Sequence, residues 1–199
     1  MRSAFLIPLL LTASMASSTA SAEDFPADRV VAAAAGDWDK DGTPDLALVV
    51  RPTDESDVDN GLYIYLHKTN EARLALAASL PNTLWGSMTM SGQEPELVAM
   101  ANGSLQVITK NETIGRERWR QTLTVAYRNF DFIVAGYTFS GYDTVEMDEN
   151  GENRTKSCDL NVLTGKGKAD DKPVTAKAAF VLLTDWDDAI GQKACGYSR

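Results

Sequence analysis

Apolar and polar-faced positions alternate strictly over residues 61–68. Leu62, Ile64 and Leu66 share one side, and Tyr63, Tyr65 and His67 the other. A period of two is that of a half-buried strand. The same period runs through 116–128, where Trp119, Gln121, Leu123, Val125 and Tyr127 fall on one face. Arg118, Arg120, Thr122, Thr124, Ala126 and Arg128 fall on the other, with Arg116 on the same parity. Short apolar runs at 30–35 and 46–50 flank an aspartate-rich loop. Segments 97–100 and 105–109 are joined by Asn102-Gly103, a pair that tolerates the positive φ of tight hairpin turns. Residues 131–142 are apolar on both parities, which predicts a central strand. Strands at 159–163 and 175–184 complete the set.

Helical signals are sparse. Residues 70–80 read as strand or helix, because their Ala and Leu favour helix. Residues 186–193 predict one or two helical turns with Asp185 as N-cap. Turn residues recur at intervals of about ten. The pattern predicts one all-β domain of about eight to ten mostly antiparallel strands, as a sandwich, a barrel or a partial propeller. Acidic or glycine-rich loops are expected at 51–60, 148–157 and 165–173, none long enough for a domain boundary.

The N-terminus does not belong to that domain. Arg2 precedes an apolar run at 4–11, and small residues lead to Ala20-Ser21-Ala22. A basic start, a short apolar stretch and an A-x-A end form a secretory signal. The expectation is a leader at 1–22, a domain at 23–199 and a secreted or periplasmic location. No Cys follows Ala22, so no lipid anchor is indicated, and no later segment nears the roughly eighteen apolar residues of a membrane span. The two cysteines, Cys158 and Cys195, fit such a compartment as a disulfide. They lack the C-x-x-C spacing of a redox dithiol. Closing so long a loop contributes roughly 3–4 kcal/mol.

Charge narrows the partners. The 199 residues carry 19 Lys and Arg against 28 Asp and Glu, a formal charge of −9. Nucleic acids and anionic membranes need a basic surface, so neither is an expected partner. One His and two Cys leave no Cys/His zinc cluster and little room for a His-based triad.

One motif carries specific chemistry. In Asp37-Trp38-Asp39-Lys40-Asp41-Gly42-Thr43-Pro44-Asp45, carboxylates stand at loop positions 1, 3, 5 and 9, with Gly at 6. Calcium takes six to eight oxygens, and a tight loop with acids at alternate positions converges them. Position 12 is Leu48, where an EF-hand has a bidentate Glu, and the flanks read as strands. The segment around 30–50 resembles a single FG-GAP or VCBS-type repeat, the strand–loop–strand calcium motif of integrin alpha chains and secreted bacterial proteins. The resemblance implies Ca2+ held by the side chains of Asp37, Asp39, Asp41 and Asp45 and the main chain of Thr43.

Catalytic signals are few. There is no Gly-x-Ser-x-Gly elbow. His67 reads as an ordinary strand-face residue. Gly165-Lys166-Gly167-Lys168 lacks the spacing of a phosphate loop. Asp143, Glu146, Asp185 or Asp187 can supply a carboxylate pair for glycoside hydrolysis, but no pattern selects one. No catalytic residue is assigned. Arg118, Arg120 and Arg128 form a candidate docking surface for an acidic ligand. The expected function is a calcium-binding, non-enzymatic module for a protein or glycan. The alternatives are an acidic inhibitor of a basic hydrolase such as a lysozyme, and a carbohydrate-active hydrolase.

Overall fold

The computed structural model describes residues 27–53, 59–86 and 92–197. The expected leader at 1–22 lies outside the described residues. Four strands, β1 (Val30–Gly36), β2 (Asp45–Val50), β3 (Asn60–Lys68) and β4 (Arg73–Leu84), form one antiparallel sheet in chain order. A second sheet runs from β5 (Glu96–Ala99) through β6 (Ser104–Asn111), β7 (Glu117–Arg128), β8 (Asp131–Met147) and β9 (Asn153–Asn161). It continues to β10 (Lys166–Ala169) and β11 (Lys172–Thr175). β12 (Val181–Leu182) pairs with β8, and α1 (Asp188–Ala194) follows. The fold is all-β with one short C-terminal helix.

The two sheets share one core. Leu62, Ile64 and Leu66 from β3 join Leu105 and Val107 from β6, Leu123 and Val125 from β7, and Leu160 from β9. Each fully buried Leu, Ile or Val contributes about 1.5–3 kcal/mol by leaving water. β1 lies alongside β5, so the sheets adjoin at one margin. The result is two packed sheets.

A bulge explains the mixed parity of β8. Thr124 faces Gly136 and Val125 faces Val134, leaving Ala135 as an extra residue. Val134 and Tyr137, three apart, therefore both reach the core, opposite Val125 and Leu123.

One open reading is settled and several local expectations change. Residues 69–71 form one 3-10 turn, and the Ala/Leu-rich stretch after it is strand β4. Pairing with β3 overrides its helical propensity. The presumed loop 165–173 holds β10 and β11, closed by Asp170 and Asp171 at positive φ. Of the expected strand 175–184, Thr175 ends β11 and Val181–Leu182 forms the short strand β12. The helix is capped by Asp187, whose carboxylate accepts the Ala189 amide at 2.8 Å, whereas Asp185 ends the preceding 3-10 turn Leu183–Asp185.

Candidate metal centre

The aspartate loop connects β1 to β2, opening after Gly36 and closing at Asp45, which pair with each other. It folds around Trp38, only 2% exposed and packed edge-on against Phe132 at 6.4 Å. Gly36 makes room, because a Cβ there would stand 2.8 Å from the indole nitrogen. Lys40 and Gly42 turn the chain at φ 63° and 88°.

Asp45 is the deepest acid, 1% exposed. Its Oδ2 accepts the Trp38 amide at 2.8 Å and its Oδ1 accepts the His67 amide at 2.9 Å. Asp37 accepts the Gly42 amide at 3.1 Å and Asp39 the Asp41 amide at 3.2 Å. One ligand oxygen each from Asp37, Asp39 and Asp45 lies within 4.8 Å of the others. Two oxygens bound to one calcium at 2.3–2.6 Å stand at most about 5 Å apart, so the three can share an ion. Each carboxylate oxygen that accepts one amide keeps a second lone pair. Burial pushes the Asp39 carboxyl above the usual range, and the charges of Asp45, Asp41 and Asp37 add to that rise. Removal from water and mutual repulsion are what a cation in their midst would relieve.

Asp41 stands apart from this trio. Its carboxylate accepts the Thr43 hydroxyl, the Thr43 amide at 2.8 Å and the Thr69 hydroxyl at 3.2 Å. These donors, led by the Thr43 hydroxyl, hold its carboxyl below the usual range. Asp41 thus ties the loop to the 3-10 turn after β3. On the other side, Gly103 of the β5–β6 hairpin packs by Lys40, where a Cβ would meet that side chain at 3.1 Å. The contribution of His67 is its backbone amide, set by strand register, and no sequence pattern signals it.

Cys158 and Cys195 form a disulfide, with Cα atoms 5.9 Å apart. A structural disulfide belongs to an oxidising, non-cytoplasmic setting. Among the described residues, no helix is long and apolar enough to cross a membrane.

The arginines do not form one stripe. Arg118 and Arg120 sit at one end of β7, whereas Arg128 caps the other and donates to its neighbour's carbonyl, Tyr127 O, at 2.7 Å. Trp119, on the core-side parity, leans on Trp85 at 5.3 Å. Of the carboxylates considered for hydrolysis, Asp143 pairs with Arg116 at 2.7 Å and Glu146 with Arg154 at 3.5 Å. Arg116 holds the Asp143 carboxyl below its usual range, opposite to what a general acid needs. Asp187 is spent on the helix cap. The acids at 148–151 form a turn in which Asp148 accepts the Asn150 and Glu152 amides at 2.8 and 3.0 Å.

No protein-family model, curated protein or solved structure matches the chain.

Proposed function

We propose that this is an exported, calcium-stabilised all-β module with a non-enzymatic binding role. The observation that carries the reading is the trio Asp37, Asp39 and Asp45, whose oxygens lie within 4.8 Å of one another between two strands. An all-oxygen donor set on a flexible loop suits a hard cation, and six to eight ligands leave places for main-chain oxygens and water. Thr43 supplies a main-chain ligand, and Asp41 acts as a ligand or as an outer brace. The loop serves as one copy of the strand–loop–strand calcium motif. The ion's role is structural, since the loop joins the Trp38 anchor, the β3 end and the β5–β6 hairpin. The disulfide and the leader-like N-terminus support secretion or a periplasmic location.

The test is a pair of thermal melts, with calcium and with a chelator. At free calcium one hundred times Kd, binding to the native state adds about 2.7 kcal/mol. For a domain of this size that raises Tm on the order of 5–10 °C. Coincident melts would refute the reading.

A further inference from the structure

Between the two sheets, where β4 meets the turn Leu183–Asp185, the core is not filled. A pocket of about 310 Å³ opens there. Its volume is at the lower end of the roughly 300–1,000 Å³ of small-molecule sites. Leu62 and Leu80, directly opposed on β3 and β4, wall it from the first sheet. Val107 and Leu123, opposed on β6 and β7, wall it from the second, and Leu183 and Trp186 close it from the C-terminal segment. All six are buried. Thr83, Asp187 and Asp188 are exposed and form the rim. The C-terminal wall is held in place before any ligand arrives. Trp186 stacks on Tyr137 at 5.8 Å and donates its indole N–H to Asp188 at 3.0 Å, and the helix that follows is tied to β9 by the disulfide.

One polar pair interrupts the apolar lining. In the row next to Val107 and Leu123, Thr109 stands opposite Gln121, and both side chains line the pocket. They are 6% and 5% exposed. Among the described residues, neither the Thr109 hydroxyl nor the Gln121 carboxamide has a hydrogen-bond partner. Asn111, one row further on, shows the ordinary arrangement, since its amide donates to the carbonyls of Ile114 at 2.8 Å and Glu117 at 3.0 Å. Buried polar side chains are as a rule satisfied, and an unmet one lowers stability. Gln121 and Thr109 together offer donors and acceptors to one small polar group inside the pocket.

We propose that this pocket binds an uncharged, mainly aliphatic molecule of single-chain lipid type, whose hydroxyl or carbonyl group meets Gln121 and Thr109. Leucine and valine walls suit the chain, and burial of that chain drives binding. No Lys, Arg or His lines the pocket, and Asp187 and Asp188 at the rim repel a carboxylate or phosphate head. A cationic head is not called for either. Asp187 already accepts the Ala189 amide and Asp188 the Trp186 indole, and the polar pair inside is neutral. The proposal gives a ligand class to the binding role put forward above and so rests on that reading. It is independent of the calcium loop, because no residue of 37–45 lines the pocket.

The experiment is calorimetric titration of the full chain with 1-octanol, against octanoate and octylammonium of equal chain length. Octanol is expected to bind about tenfold more tightly than either ion, since a charged head must shed water to enter. Binding is expected to shift tryptophan emission, because Trp85 and Trp186 line the pocket. Gln121→Leu is expected to weaken octanol about threefold or more with a Tm no lower than that of wild type, because the unmet carboxamide is removed. Val107→Phe, which projects a ring into the space, is expected to weaken it about fivefold or more. No octanol binding up to its solubility, an octanoate or octylammonium affinity equal to or above that of octanol, or full octanol affinity in either folded variant would each overturn the proposal. The calcium-dependent melt is recorded on the same samples. A missing octanol signal with an intact calcium shift condemns the pocket alone, and octanol binding without a calcium shift condemns the loop alone.

Discussion

The Trp38 amide donates to Asp45 at 2.8 Å, so the residue that anchors the loop in the core also fixes its deepest carboxylate. The His67 amide holds the other oxygen at 2.9 Å. The orientation of Asp45 is therefore set by the loop itself and by β3 before any cation arrives.

Replacing Asp45 by Asn should do double damage. The amide group keeps one acceptor but turns an NH2 toward the Trp38 or His67 N–H. A buried donor left without an acceptor costs about 1–3 kcal/mol. Denaturant titration of D45N in chelator should show that loss, and added calcium should restore little of it. Wild-type stability in chelator would refute the account.

Gly36→Ala probes the packing of the indole. The new methyl would stand 2.8 Å from Trp38 Nε1, so ring or strand must shift. Overpacking of this kind costs about 1–3 kcal/mol. Near-UV circular dichroism should change along with the melt, since Trp38 is the displaced chromophore.

Removing the disulfide with Cys158→Ser and Cys195→Ser should cost about 2–4 kcal/mol. The loss should be local at first. Amides of α1 should exchange faster with deuterium while those of β6 and β7 remain protected, because the bridge ties the helix end to β9.

Tyr197 predicts alkaline behaviour. Burial pushes its phenol up to about 12, with the Asp170 charge adding to the rise. The hydroxyl donates to the carbonyl of Ser157 and to Asp170 at 3.2 Å. A group whose folded pKa is raised contributes fully below its unfolded value near 10 and loses that contribution as pH climbs toward 12. Wild type should therefore lose stability relative to Tyr197→Phe between pH 10 and 12. A constant difference over that range would contradict the assignment.

Much of this fold is legible in the sequence, and the exceptions have physical causes. The alternation in 61–68 and 116–128 reads directly, because one face of each strand meets the core and the other does not. Asn102-Gly103 marks its hairpin, and the two cysteines pair as expected. The stretch 131–142 reads as uniformly apolar because the bulge at Ala135 lets both parities turn inward. The β10–β11 hairpin is hidden by its composition. Lys, Gly and Asp are weak strand formers, and pairing with β9 supplies what propensity lacks. At the metal centre the acid spacing marks the loop. It does not distinguish Asp41, which the hydroxyls of Thr43 and Thr69 draw aside. Trp85 has no local signal at all. It meets Trp119 of β7 only through the packing of one sheet on the other.

Strand order carries a further consequence, for the path by which the chain folds. Apart from β12, every hydrogen-bonded neighbour in either sheet is also a neighbour in sequence. Within each sheet, from β1 to β4 and from β5 to β11, a strand can zip onto the one before it as soon as their turn is available, with little entropy spent on closing the loop. β12 must instead travel back to β8 across the whole of β9, β10 and β11. Its two residues make too short a ladder to hold that return alone. The Cys158–Cys195 bond, which belongs to an oxidising setting, ties the chain that follows β12 back to β9 and so shortens the loop that this return must close.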